Sequence, residues 1–83
     1  QEYVALAGEK CKAEQFQEAI EYFNKALEIN PRDANILFQR GYACMGAGNL
    51  KTALDSYLAV VDIAPHAYVP AMHNIGYLLK VMG

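Results

Sequence analysis

Ala19-Ile20-Glu21-Tyr22-Phe23, followed by Ala26 and Asn30-Pro31, returns 34 residues later as Ala53-Leu54-Asp55-Ser56-Tyr57, followed by Val60 and Ala64-Pro65. Ala19/Ala53, Phe23/Tyr57, Ala26/Val60, Ile29/Ile63 and Pro31/Pro65 all keep that offset. An echo at a fixed period of this length marks a stacked array of helical hairpins. Arrays of that kind generally offer a curved surface to a partner and perform no chemistry.

Working outward from the echo, the pattern predicts five helical segments: about Glu2–Ala13, Gln15–Ile29, Ala34–Ala47, Leu50–Ile63 and Val69–Met82. In the second, Phe16, Ala19, Ile20, Phe23, Ala26, Leu27 and Ile29 recur at helical spacing, with Glu18, Glu21, Lys25 and Glu28 mostly on the other face. Pro31 and Pro65 stop the second and fourth, because a residue before proline avoids helical geometry. Asp33 and Asn49 are expected N-caps. Gly46 and Gly48 end the third segment, and Pro70 suits the first turn of the fifth. Gly8, Gly41 and Gly76 fall inside the helices that open each hairpin, where glycine costs on the order of 1 kcal/mol relative to alanine. Close helix–helix approach is the expected compensation. No stretch alternates at period two for long, so strands are not expected.

Eighty-three residues, 54% hydrophobic and 19% charged, make one small domain with little stability to spare. Seven Lys+Arg stand against nine Asp+Glu, and without a basic stripe a nucleic-acid partner is not expected. No apolar run reaches the ~20 residues that span a bilayer, so membrane insertion is not expected either. The first residue is Gln1 rather than Met, which suggests a piece of a longer protein. Cys11 and Cys44 form no paired framework, and free thiols favour a reducing compartment such as the cytoplasm.

On these residues the chain resembles the tetratricopeptide repeat family. Tyr3, Leu6, Ala7, Ala19, Phe23, Ala26 and Pro31 read as one copy of its signature. Leu37, Arg40, Gly41, Cys44, Ala53, Tyr57, Val60 and Pro65 read as a second. Met72, Ile75, Gly76 and Leu79 open a third. The resemblance implies an all-α fold, an α-solenoid of antiparallel helix hairpins with two full repeats plus one additional helix. It divides the single domain 1–83 into repeat one (about 1–33), repeat two (about 34–67) and a partial third (about 68–83). Two departures stand out. Arg40 replaces the usual leucine and is expected to lay its stem on the core with its head outward. The loop Pro65–Pro70 is one residue longer than its counterpart after Pro31. A weaker resemblance, to the tetratricopeptide chaperones of bacterial type III secretion, rests on Ala43-Cys44, Ser56-Tyr57, Asp62, Pro70 and His73.

The resemblance also implies a protein–protein interaction module, an adaptor or scaffold, with the first helix of each hairpin lining a concave groove. The third segment would present Asn35, Phe38, Gln39, Tyr42 and Met45 there, and the fifth His73, Asn74, Tyr77, Lys80 and Val81. The first would present Gln1, Val4, Ala5, Gly8 and Lys12. The candidate peptide-binding residues are Val4, Phe38, Gln39, Tyr42, Met45, Asn74, Tyr77 and Val81. Such a face is apolar and aromatic, with amides among the rings. Family members that clamp acidic C-terminal tails use Lys, Asn and Arg at places that here hold Val4, Gly8, Gln39, Tyr77 and Val81. A carboxylate clamp needs cationic donors, so an apolar segment, extended or helical, is the expected ligand. The alternatives are a groove filled by the chain itself or by a sibling subunit, and ordinary packing of these side chains.

The last segment offers Ile75, Leu78, Leu79 and Met82 with only Lys80 charged, so self-association through its apolar face is a further expectation. No catalytic residue, metal site or cofactor is expected. His66 and His73 lack a carboxylate or cysteine at ligand spacing. Gly46-Ala47-Gly48 lacks the Lys and Ser or Thr of a phosphate loop. Cys11 lies between Lys10 and Lys12, which would lower its pKa, but no base accompanies it. Glu21 and Lys25 have the spacing of an ion pair.

Overall fold

The computed structural model describes residues 2–83, except the side chains of Ala67 and Tyr68. Its elements are α1 (Glu2–Lys12), α2 (Phe16–Ile29), α3 (Ala34–Ala47), α4 (Leu50–Ile63), a 3-10 turn at Pro65–Ala67, and α5 (Tyr68–Met82). The chain is an α-solenoid. Each helix packs chiefly on its neighbours in sequence, α1 on α2, α2 on α3, α3 on α4 and α4 on α5.

Local chemistry sets these boundaries. The Asp33 Oδ1 accepts hydrogen bonds from the backbone N–H groups of Asn35 (3.0 Å) and Ile36 (3.2 Å), satisfying two donors that the first turn of α3 leaves unpaired. Asn49 holds the corresponding place before α4, but its side chain accepts no capping bond. The expected cap there is positional only. Asn30 and Ala64, each just before a proline, end α2 and α4. The extra residue after Pro65 is absorbed by the 3-10 turn, and α5 starts one residue earlier than expected.

The core is built from the repeated residues. Ala7, Ala19, Ala26 and Ala53 are buried beside the fully buried rings of Phe23 and Tyr57. Burying one such ring contributes about 1.5–3 kcal/mol. A smaller cluster of Leu37, Val60 and Ala71 ties α5 to the second hairpin. Ile29, read as part of the apolar face of α2, is exposed instead, at the end of its helix.

The three interior glycines differ. A Cβ on Gly41 would stand 2.8 Å from Cζ of Tyr57, so close approach accounts for this glycine. At Gly8 and Gly76 a Cβ would meet nothing within 4 Å, and the expected compensation is absent. Gly46 is a close-approach glycine too, because the Phe16 ring would lie 2.7 Å from its Cβ.

The head of Arg40 reaches outward but is held there by hydrogen bonds. Its Nε donates to Oγ of Ser56 on α4 (3.0 Å) and a terminal nitrogen donates to Oδ1 of Asn24 on α2 (3.0 Å). The buried Ser56 hydroxyl donates in turn to the Thr52 carbonyl at 2.9 Å. Arg40 is thus structural, as a polar strut from α3 to the helices on either side. Lys25 does not pair with Glu21. Its ammonium lies 5.8 Å from the Tyr3 ring centre and 5.9 Å from that of Tyr22, two rings stacked 6.3 Å apart. The ion pair among the described residues is Lys10–Glu18, at 3.2 Å.

Candidate functional site

The expected groove residues separate into an exposed set and a half-buried set. On α3, Ile36, Leu37, Gly41, Ala43 and Cys44 are buried, which turns Asn35, Gln39 and Tyr42 to the outside. Tyr42 is 59% exposed, and Tyr77, at the equivalent place on α5, is 54% exposed. Val81 and Gln39 are also exposed, and Asn74 is half-buried. Exposed aromatic rings at matching places in successive hairpins are surplus to the core, and surplus apolar surface tends to mark contact sites.

Phe38, Met45 and Val4 are half-buried against the core. The Phe38 ring meets Tyr57 edge-on, with centres 5.2 Å apart and planes at 76°. The Tyr57 hydroxyl donates to Sδ of Met45 at 3.5 Å. Ring packing of this kind contributes about 0.5–1.5 kcal/mol beyond area burial. Phe38 therefore fixes α3 against α4. Gln1 lies outside the described residues.

Phe16 was not among the sequence candidates, yet its ring meets Tyr42 edge-on at 6.4 Å and covers Gly46. The signal was Gly46 itself, a small residue inside the last turn of α3 and opposite the start of α2. Phe16 thus restricts the Tyr42 ring.

Two surface clefts, each of about 460 Å³, lie elsewhere. One is lined by Lys10, Glu18, Glu21, Tyr22, Asn24 and Lys25, the other by residues at the α1–α2 turn with Gly46 and Ala47. Neither is lined by any expected groove residue. The charged cleft contains the Lys10–Glu18 pair and the Lys25–tyrosine stack, so both of its cations are already partnered.

Ionisation gives no sign of an activated nucleophile. Burial pushes the Cys11 thiol up, reversing the expected effect of Lys10 and Lys12. Burial also pushes up the Cys44 thiol, with Arg40 acting weakly against it. The Tyr57 phenol is pushed up to about 12, by burial first and then by Cys44 and Tyr42. Among the described residues, His, Cys, Asp and Glu nowhere gather in threes as a metal site needs, and no helix is long and apolar enough to cross a membrane.

The family model for the tetratricopeptide repeat matches residues 5–68, about three quarters of the chain. The chain belongs to the tetratricopeptide repeat family. No curated protein matches it closely enough to be a relative. Tetratricopeptide repeats are generally protein–protein interaction modules, and this repeat protein has the helices and small-to-large packing that such a module requires. The match begins inside α1 and ends at the first residue of α5, so it takes in most of the first hairpin and all of the second.

Proposed function

We propose that this repeat protein is a non-catalytic adaptor that holds an apolar peptide segment in a concave, apolar and aromatic groove lined by the first helix of each hairpin, chiefly by α3 and α5. The observation that carries the reading is the pair Tyr42 and Tyr77, over half exposed at equivalent places in successive hairpins. Val81 extends the apolar contact, Gln39 and Asn74 offer amide donors and acceptors, and Phe38, Met45 and Val4 are half-buried apolar residues of the same helices and of α1. No carboxylate lies on α3 or α5, and the Arg40 head is occupied by Ser56 and Asn24. An acidic tail would therefore find Lys80 but no free arginine here, short of the cluster of cations a carboxylate clamp needs, while an apolar segment would find two rings and an aliphatic edge. The same reading takes 1–33, 34–67 and 68–83 as two repeats and the opening of a third.

The test uses a random peptide display library panned on the immobilised protein. The expected ligands are rich in aliphatic and aromatic residues. The double variant Tyr42→Ala, Tyr77→Ala changes two exposed side chains, so circular dichroism should be unaltered while the selected peptide binds at least about tenfold more weakly. Enrichment of acidic C-terminal sequences, or unchanged affinity for the double variant, overturns the reading.

A further inference from the structure

Tyr57 on α4 is the largest fully buried side chain of the core. Among the described residues its hydroxyl has one hydrogen-bond partner, the Sδ of Met45 on α3, at 3.5 Å. A thioether sulfur is a weak acceptor. The ring itself is held fast, with Phe38 edge-on at 5.2 Å and Gly41 closing on it from α3, so the hydroxyl cannot turn to a better partner. Met45 is half-buried, in the last turn of α3. One sulfur lone pair faces Tyr57, and among the described residues no donor reaches the other.

We infer that Met45 is an oxidation site whose sulfoxide is held by Tyr57, so that oxidation tightens the joint between α3 and α4. The oxidant is a hydroperoxide. Its O–O bond breaks and an S–O bond forms at the free lone pair. The thioether gives up two electrons, and the peroxide leaves as water, or as an alcohol where it carries an alkyl group. Methyl, oxygen and remaining lone pair then stand a third of a turn apart about the Cγ–Sδ bond. One rotamer step carries the oxygen to the place facing the Tyr57 hydroxyl and the methyl to the open side. Methionine, unbranched and flexible, takes such a step readily. The phenol then donates to a sulfoxide oxygen, a stronger acceptor than sulfur. Two thiols reverse the change, removing the oxygen as water and becoming a disulfide, as methionine sulfoxide reductases do.

Met45 differs here from the other two methionines. Met72 and Met82 are 37% and 45% exposed and accept no hydrogen bond among the described residues, so a sulfoxide there holds nothing. A sulfoxide usually disrupts a core because nothing awaits its oxygen. At Met45 a donor is already in place. The thiols are poor competitors for the oxidant, because the thiolate is the reactive form and burial pushes both Cys11 and Cys44 up.

The test removes Met72 and Met82, two exposed residues, by Met72→Leu and Met82→Leu, which leaves Met45 as the one methionine. The folded protein is treated with hydrogen peroxide and then with dithiothreitol, which returns disulfides and sulfenic acids to thiols and spares a sulfoxide. Mass spectrometry of the digest should place one added oxygen on Met45. In urea, the oxidised protein should unfold at a midpoint equal to or above that of the reduced protein. With Tyr57→Phe added, the donor is gone, and oxidation should lower the midpoint by about 0.5 M. Three results each overturn the inference: no oxygen on Met45 while the protein is folded, a midpoint that falls on oxidation with Tyr57 in place, or equal shifts with and without the hydroxyl. The first two need no change at Tyr57, so they decide even where the phenylalanine variant fails to fold. The readout is folding stability, separate from peptide capture by Tyr42 and Tyr77.

Discussion

Glu14 and Gly48 are 34 residues apart and share one left-handed backbone conformation, with φ of 58° and 80°. Each follows the helix that opens a hairpin, and both ends close alike. The N–H of Glu14 donates to the Cys11 carbonyl (3.0 Å) and that of Gln15 to Lys10 (2.8 Å). The N–H of Gly48 donates to Met45 (3.1 Å) and that of Asn49 to Cys44 (2.8 Å). Glycine adopts this φ freely, whereas a side chain crowds its own carbonyl at a cost of roughly 1–2 kcal/mol. Part of that is offset by the greater freedom of glycine in the unfolded chain. Glu14→Gly should therefore raise stability by about 0.5–1 kcal/mol in urea unfolding. An unchanged midpoint would mean that the turn is not strained.

Gly8 and Gly41 should respond to alanine in opposite directions. Both are helical, so each gains about 1 kcal/mol of helix propensity. At Gly8 the new methyl meets open space, and Gly8→Ala should stabilise by that amount. At Gly41 it would stand 2.8 Å from the ring of the fully buried Tyr57, which has no room to withdraw. Overpacking costs about 1–3 kcal/mol, so Gly41→Ala should be destabilising on balance. Paired thermal melts decide it, and equal shifts of the same sign would refute the close-approach account.

The Arg40–Ser56 bond should appear as a coupling energy. A hydrogen bond to a charged group contributes up to roughly 1.5–3 kcal/mol, less where water competes, and Arg40 is half-buried. A double-mutant cycle with Arg40→Leu and Ser56→Ala should give about 1 kcal/mol of coupling. Additive single effects would reduce Arg40 to a packing residue despite its geometry.

The helices were legible from periodicity and from Pro31, Pro65 and Asp33, because these features act through the local backbone. What the reading missed depends on which helix lies opposite. Gly41 and Gly76 look alike in sequence, but only Gly41 has a ring above it. Asp33 and Asn49 are both good capping types, yet only Asp33 reaches the N–H groups of its helix. Arg40 has nothing nearby in sequence to announce Ser56 or Asn24, each 16 residues away. Of the candidate site, Tyr42, Tyr77, Val81 and Gln39 are outward as expected, while Phe38 and Met45 are drawn toward Tyr57.

Tyr57 should make the protein sensitive to alkali. Its folded pKa is pushed up to about 12, against about 10 for a free tyrosine. The folded state therefore favours the neutral phenol. That contribution is whole below pH 10, declines as the unfolded chain ionises, and is gone once pH passes about 12. The expected loss across this window is on the order of 2 kcal/mol. Tyr57→Phe should flatten the fall in stability between pH 10 and 12 in urea titrations. An identical slope for the variant would remove Tyr57 as the cause.

The succession of contacts, each helix resting chiefly on the one before and the one after it, bears on how the protein is made. Sequence-local folds need little loop closure and form quickly. A chain emerging from the ribosome could seat α2 on α1, then α3 on α2, without waiting for its far end. Apolar surface would then be uncovered mainly at the growing edge, and at most one helix at a time would await its cover during translation.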